Sequence, residues 1–319
     1  KGVNIPNVDL SLPAVTGQDI KDIVFGCEQG VDIIAASFIR SSDHIEIIRK
    51  LLAKEKAEHI LVIAKIESAL GVKNFDAILK VSDGIMVARG DLGVELPITT
   101  VPNHQKEMIY KCNHAFKPVV TATQMLESMI KNPRPTRAEV SDVANAIYDS
   151  TSAVMLSGET AVGVYPIETV KLMRSAILEA EKQFRYADYF HCEVLRQTYK
   201  EISYSVALAA VKTAYSSKAK AIIALTTSGF TARIMSRFRP KIPIIAITRE
   251  EKVFHQLAFF WGVIPLLAGA SNMEEGMKEA CRFLLKNKLA KRADSVVMTS
   301  GVPFAVSGTT NMMCVQTVS

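Results

Sequence analysis

Leu61-Val62-Ile63-Ala64-Lys65-Ile66-Glu67 and Gly84-Ile85-Met86-Val87-Ala88-Arg89-Gly90-Asp91 are short apolar runs that end in groups able to handle phosphate, divalent metal or a carboxylate. A third run, Pro118-Val119-Val120-Thr121-Ala122-Thr123-Gln124, closes in hydroxyls and an amide. Runs this apolar and this short read as strands of a parallel sheet covered on both faces. A β/α barrel assembles its active site at the carboxyl ends of successive parallel strands, so the repetition predicts an enzyme more strongly than any single residue does.

Working outward, strand runs at 31–39, 60–66, 84–87, 118–122 and 152–156 alternate with amphipathic stretches at 43–52, 103–115 and 136–149. Five βα units are visible where a closed barrel needs eight. Either three strands are missing or the sheet is open. Between 184 and 204 the composition turns aromatic and charged, with Phe184, Tyr186, Tyr189, Phe190 and Tyr199 and no strand signal. A domain boundary is placed there. Beyond it a helix over 202–215 leads into strands at 221–225, 242–247, 263–267, 295–299 and 313–317. The fold expected is α/β. A partial (β/α)8 TIM barrel over 1–184 precedes a smaller α/β domain over 185–319 with a mostly parallel five-stranded sheet.

The composition agrees with two packed domains: 319 residues, 49% hydrophobic and 22% charged, give ample core and no disorder signature. The net charge of +6 is spread among acidic residues rather than gathered in a basic run, which favours small anionic ligands over nucleic acid. Five scattered cysteines without a Cys-x-x-Cys pair predict a reducing, cytoplasmic setting. No apolar run is long enough to span a bilayer. The start at Lys1 rather than Met reads as a cut into a longer polypeptide.

Lys65 and Glu67 lie two apart on one strand and therefore share a face. With Asp91 after the next strand, they bring an ammonium and two carboxylates toward one barrel mouth. Mg²⁺ prefers a few carboxylate oxygens completed by substrate and water, and a lysine offsets charge on a transferring phosphoryl group. A strand-end salt bridge is the simpler alternative. The glycines of Arg89-Gly90-Asp91-Leu92-Gly93 permit close backbone approach to a ligand or a tight turn. Thr123 reads as a substrate-binding hydroxyl, a proton relay through water, or a helix cap. Ser157-Gly158-Glu159-Thr160-Ala161 repeats that pattern after the fifth strand. In the second domain, Thr226-Thr227-Ser228-Gly229-Phe230-Thr231 enters a helix and reads as a phosphate cradle or as plain N-capping. The six histidines show no metal-ligand spacing, and Phe259-Phe260-Trp261 reads as core or interface.

Four stretches taken together resemble the pyruvate kinase family: Val62–Glu67 (Val-Ile-Ala-Lys-Ile-Glu), 86–95 (Met-Val-Ala-Arg-Gly-Asp-Leu-Gly-Val-Glu), 122–139 (through Thr123-Gln124-Met125-Leu126-Glu127-Ser128 to Glu139) and 155–161 (Met-Leu-Ser-Gly-Glu-Thr-Ala). The resemblance implies phosphoryl transfer between phosphoenolpyruvate and ADP, giving pyruvate and ATP, with Mg²⁺ or Mn²⁺ and usually K⁺. It implies that Lys65 stabilises the phosphoryl group and enolate, and that Glu67 and Asp91 ligate the divalent metal. Ala88, Arg89, Gly90 and Asp91 would line the carboxylate pocket. Thr123 would stand beside the carbon that receives a proton, with Ser157 and Glu159 on the relay side. Thr226, Thr227, Ser228, Gly229 and Thr231, with Ser307, Gly308 and Thr309, would hold a sugar-phosphate effector such as fructose 1,6-bisphosphate. A homotetramer is implied, with Asn132-Pro133-Arg134-Pro135-Thr136-Arg137 as a subunit contact.

The chain departs from the family in lacking the first three barrel strands, which carry the usual K⁺ and phosphate ligands, and the lid domain that follows them. Lys1-Gly2-Val3-Asn4-Ile5-Pro6 resembles the segment where that lid returns to the barrel. The expectation is negligible turnover for these residues alone. The competing readings are another Mg²⁺-dependent barrel acting on a pyruvate enolate, such as a lyase, and a non-catalytic sugar-phosphate-binding or assembly fragment.

Overall fold

A computed structural model describes residues 15–196, 201–270, 272–302 and 308–319. The Lys1–Pro6 segment and Ser307 lie outside them. The chain divides into two compact units, Lys1–Phe184 and Arg185–Ser319.

In the first unit, α1 (Gly17–Glu28) and α2 (Ser42–Lys54) flank β1 (Ile33–Ala36). After β2 (Leu61–Ile66) come two short helices, α3 (Ala69–Lys73) and α4 (Phe75–Val81). β3 (Gly84–Ala88) runs directly into α5 (Arg89–Glu95), followed by α6 (Val101–His114). β4 (Val119–Ala122), α7 (Arg137–Tyr148), β5 (Ala153–Met155), α8 (Gly158–Ala161) and α9 (Pro166–Gln183) complete it. The five strands pair in chain order and in parallel, with β1 and β5 at the edges. Five consecutive βα units are thus present, and the sheet does not close on itself within the described residues.

Strand alternation divides the sheet into two faces. Ile34, Ala36, Val62, Ala64, Ile66, Ile85, Val87 and Val119 pack under the helices in one core cluster. The other face carries Ala35, Ile63, Lys65, Met86, Ala88, Val120 and Ala122, and the register sets Lys65 beside Met86 and Ala88 beside Ala122. Lys65 therefore lies on the face turned away from that core cluster. The first strand is shorter than the 31–39 run suggests. Phe38 adopts φ 52°, in the left-handed region, and turns the chain out of the sheet after Ala36.

α7 begins in a capping box in which Thr136 and Glu139 satisfy each other's backbone N–H groups. Glu139 also accepts from the N–H and hydroxyl of Ser128. Burial opposes its charge, but the hydrogen bonds from Ser128 and Thr136 outweigh it and hold the carboxyl below its ordinary value.

The second unit opens with α10 (Tyr186–Arg196), inside the stretch that carries no strand signal, and α11 (Ile202–Ser216). β6 (Ile222–Leu225), α12 (Phe230–Arg237), β7 (Ile244–Thr248), α13 (Glu251–Leu257), β8 (Val263–Leu267), α14 (Met273–Lys286), β9 (Ser295–Gly301) and β10 (Thr310–Thr317) follow. The strand order is β10-β9-β6-β7-β8, with β10 antiparallel to β9 and the rest parallel. Inside, Arg237 pairs with Glu193 of α10 at 2.9 Å, both side chains being at most 3% exposed. Arg239 lies over the buried Trp261 ring at 5.1 Å, which makes the aromatic run core. Among the described residues, no helix is long and apolar enough to cross a membrane.

Candidate functional site

The carboxyl ends of β1 to β5 carry three connected groups of side chains. The first is built on β1 and β2. Lys65 Nζ sits 2.9 Å from Glu67 Oε1 and donates to Ser37 Oγ at 2.8 Å. The other Glu67 oxygen, Oε2, accepts the N–H of Phe38. Glu67 is 1% exposed, so its charge requires these partners. The left-handed backbone at Phe38 is what lets the main chain reach that carboxylate.

The second group joins β3 to β4. Thr123 and Gln124 both have positive φ, 69° and 52°, so the chain leaves β4 in a turn that ordinary residues enter at a cost. Arg89 stabilises that turn, donating to the carbonyl of Thr123 at 2.7 Å and to that of Ala122 at 3.3 Å. Asp142 of α7 holds the guanidinium at 2.7 Å. Gly90 N–H donates to Thr123 Oγ1 at 2.7 Å, and a Cβ at Gly90 would lie 3.4 Å from that same oxygen. Asp91 is half-buried in the first turn of α5.

The third group ties β4 to β5. Glu159, 1% exposed, accepts from Leu126 N–H at 3.1 Å and Ser157 N–H at 2.8 Å. Ser157 itself is half-buried at the start of α8.

The structure thus brings Lys65 and Glu67 into contact, and Gly90 and Thr123 into contact. Three further groups expected at the site have internal partners. Arg89 donates to Asp142 and to carbonyls of the Thr123 turn. Gly90 offers its N–H to Thr123. Glu159 gives both oxygens to main-chain N–H groups, which satisfy a buried carboxylate.

In the second unit, a pocket of about 160 Å³ opens at the ends of β6, β7 and β9. Thr226, Thr227, Ser228, Thr231, Gly308 and Thr309 line it, joined by Thr248, Arg249, Glu250, Ser300 and Thr310. Gly229 caps α12 at φ 77°, and a Cβ there would press on Leu257 at 3.0 Å, so only glycine suits the turn. Arg233 donates to the Ser228 carbonyl at 3.1 Å, and the hydroxyls of Thr231 and Thr310 hydrogen-bond across the pocket floor. Ser203 binds the Gly308 carbonyl at 3.0 Å. β6 stands between β7 and β9, where the strand order reverses, and open α/β sheets bind ligands at that switch point.

Comparison with known proteins matches the family model "Pyruvate kinase, barrel domain" over residues 1–170 and "Pyruvate kinase, alpha/beta domain" over 204–316. The chain belongs to the pyruvate kinase family. Pyruvate kinase of Clostridium acetobutylicum is 49% identical over the whole chain, which spans 67% of that relative. Those of Sporosarcina psychrophila and Geobacillus stearothermophilus are 47% and 48% identical, and the chain spans 54% of each.

The pyruvate kinase family implies a divalent cation. Among the described residues, no group of three His, Cys, Asp or Glu is placed to hold one. Glu67 and Asp91, at the ends of neighbouring strands, are nonetheless the donor type that suits Mg²⁺, which takes its remaining ligands from substrate oxygens and water. Glu67 is buried and already has a cation beside it, the Lys65 ammonium. Ser37 and Phe38 escaped the reading of pyruvate kinase motifs because an alanine-rich strand followed by Ser-Phe carries no charge. Arg249, Glu250 and Ser300 escaped it too, although the logic of chemistry at strand ends would have pointed to all three.

Proposed function

We propose that this chain carries part of the phosphoryl-transfer site of a pyruvate kinase, the enzyme that moves a phosphoryl group between phosphoenolpyruvate and ADP to give pyruvate and ATP. The observation that carries it is the contact of Lys65 with a buried Glu67 at the end of β2, beside the strand that delivers Asp91. Phosphoryl transfer rests on positioning and charge neutralisation rather than covalent chemistry. Lys65 Nζ would meet the transferring phosphoryl group. Glu67 and Asp91 would hold Mg²⁺ or Mn²⁺, which when bound neutralises charge on phosphoryl and enolate oxygens. Thr123 presents its hydroxyl at the strand end beside Gly90 and would orient the path of the proton to the enolate carbon. Arg89 acts behind it, fixing the turn. Glu159 orients Ser157 through the backbone. K⁺ belongs to the family reading, as do a homotetramer using 132–137 and a cytoplasmic location.

The second unit would bind a sugar phosphate. Hydroxyls of Thr226, Thr227, Ser228 and Thr231, free N–H groups at the start of α12 and the guanidinium of Arg249 suit a phosphate with a polyol attached. A non-catalytic sugar-phosphate-binding role is the second reading, and this formed pocket is what favours it.

Pyruvate release from phosphoenolpyruvate and ADP with Mg²⁺ and K⁺, with and without fructose 1,6-bisphosphate, tests both. Residues 1–319 alone are expected to show negligible turnover, because β1 and β5 are open sheet edges. Lys65-dependent, ADP-dependent turnover would establish the kinase and exclude a lyase. Heat on titrating sugar phosphates, without turnover, would favour the binding role.

A further inference from the structure

Lys65 and Glu67 already satisfy each other, which poses a difficulty for any cation that is to take Glu67. Oε1 is engaged by the ammonium and Oε2 by Phe38 N–H. The ammonium has three donors, however, and one of them rests on Ser37 Oγ at 2.8 Å. The ammonium touches both acceptors at once, and Ser37 is exposed while Glu67 is buried, so Ser37 is the acceptor that lies on a solvent-exposed residue. Phe38 keeps a left-handed backbone although half of its surface is exposed, and the partner its N–H finds there is Glu67. Strain held at an exposed bulky residue points to a role for the geometry it enforces.

We infer that the turn after β1 is a latch on this pair, with Ser37 as a positioning residue: Phe38 N–H fixes Glu67 in place, and Ser37 gives Lys65 a second acceptor so that the ammonium can leave Oε1 to a divalent cation. The inference rests on the reading of Glu67 and Asp91 as the cation's carboxylates. It carries a coupling that the strand-end motifs do not show. An anion that draws Lys65 outward frees Glu67, so anion and divalent cation bind more tightly together than apart. Without Ser37, Lys65 has Glu67 as its sole acceptor in this group and competes with the metal.

The test is calorimetric titration of Mn²⁺ into residues 1–319 and their variants, with folding checked by circular dichroism. Ser37→Ala is expected to weaken Mn²⁺ binding about tenfold to a hundredfold, the size of one hydrogen bond to a charged group. Ser37→Thr, which keeps the hydroxyl, is expected to restore it. Lys65→Met removes the competitor and is expected to tighten Mn²⁺ binding. Inorganic phosphate is expected to tighten Mn²⁺ binding to the parent protein and to leave Lys65→Met unchanged. Equal affinity in Ser37→Ala and the parent, or weaker binding in Lys65→Met, would overturn the latch. Glu67→Gln and Asp91→Asn separate the two readings. If they abolish binding while Ser37→Ala does not alter it, the latch alone fails. Unaltered binding in both, or no binding to the parent at millimolar Mn²⁺, overturns the metal assignment along with it.

Discussion

The two units place chemistry at the carboxyl ends of parallel strands, yet they distribute charge in opposite ways. In the first unit, charged side chains stand at the strand ends and satisfy one another: Lys65 with Glu67, and Arg89 with Asp142. In the second, the buried ion pair of Glu193 and Arg237 is not among the pocket's lining residues, whose polar side chains are mostly hydroxyls with one arginine and one glutamate. The difference fits what the proposed function asks of each site. Stabilising a transferring phosphoryl group requires full charges at fixed positions, and such charges need internal counterparts until a ligand arrives. Holding a phosphate needs only hydroxyls and N–H groups, which water satisfies at low cost while the pocket is empty. On the proposed reading, charge at the strand ends goes with the reactive site and neutral donors go with the binding site.

Four substitutions press on this contrast. Glu193→Ala leaves Arg237 buried without its carboxylate and is expected to cost about 3–5 kcal/mol in denaturant unfolding of the second unit. A loss as small as that of a surface pair would break the claim that this charge is structural. Lys65→Met is expected to lower kcat about a hundredfold or more in any preparation that turns over, a larger effect than the stability cost of leaving the buried Glu67 without its ammonium. If the midpoint fell and kcat held, the two units would be alike in using charge for structure. Glu159→Gln keeps one acceptor oxygen but replaces the other by an NH2 group that cannot accept, and is expected to cost about 1–3 kcal/mol. Urea midpoints read this directly, and a selective loss of turnover without loss of stability would return Glu159 to the chemistry.

The smallest effect is expected at Glu139. Its folded carboxyl titrates below the ordinary 4.5, so the charged form's stabilisation is complete above that value and fades as pH falls through the folded one. Because the group is only half-buried and solvent screens it, the contribution is about a few tenths of a kcal/mol. Glu139→Gln should flatten the acid limb of the thermal midpoint against pH, and an unchanged limb would remove Glu139 as its cause.

Much of this was legible in the residues. The strand runs end where Lys65, Asp91 and Thr123 stand, because apolar, β-branched sequence specifies a doubly covered parallel strand and polarity at its end has to face outward. The helix start after 226–229 was legible as well, since hydroxyls and a glycine there read as an N-terminal cap, whereas the left-handed Gly229 against Leu257 was not. Other features were invisible. Phe38 truncates β1 through a backbone conformation that its side chain does not announce. Arg89, Gly90 and Glu159 sit inside motifs that point to ligands, yet they bond to Asp142, Thr123, Ser157 and Leu126, partners up to 53 positions away.

The sequence by itself determined the family, the alternation of strands and helices, and which strand ends carry charge. These depend on local periodicity and on motifs that a few adjacent residues contain. Only the tertiary structure decided which charges neutralise each other, that Ser37 and Phe38 belong with Lys65 and Glu67, and that Arg249 and Ser300 meet Thr226 in one pocket. Those relations arise when parallel pairing sets residues from separate strands side by side, and the spacing along the chain holds no record of them.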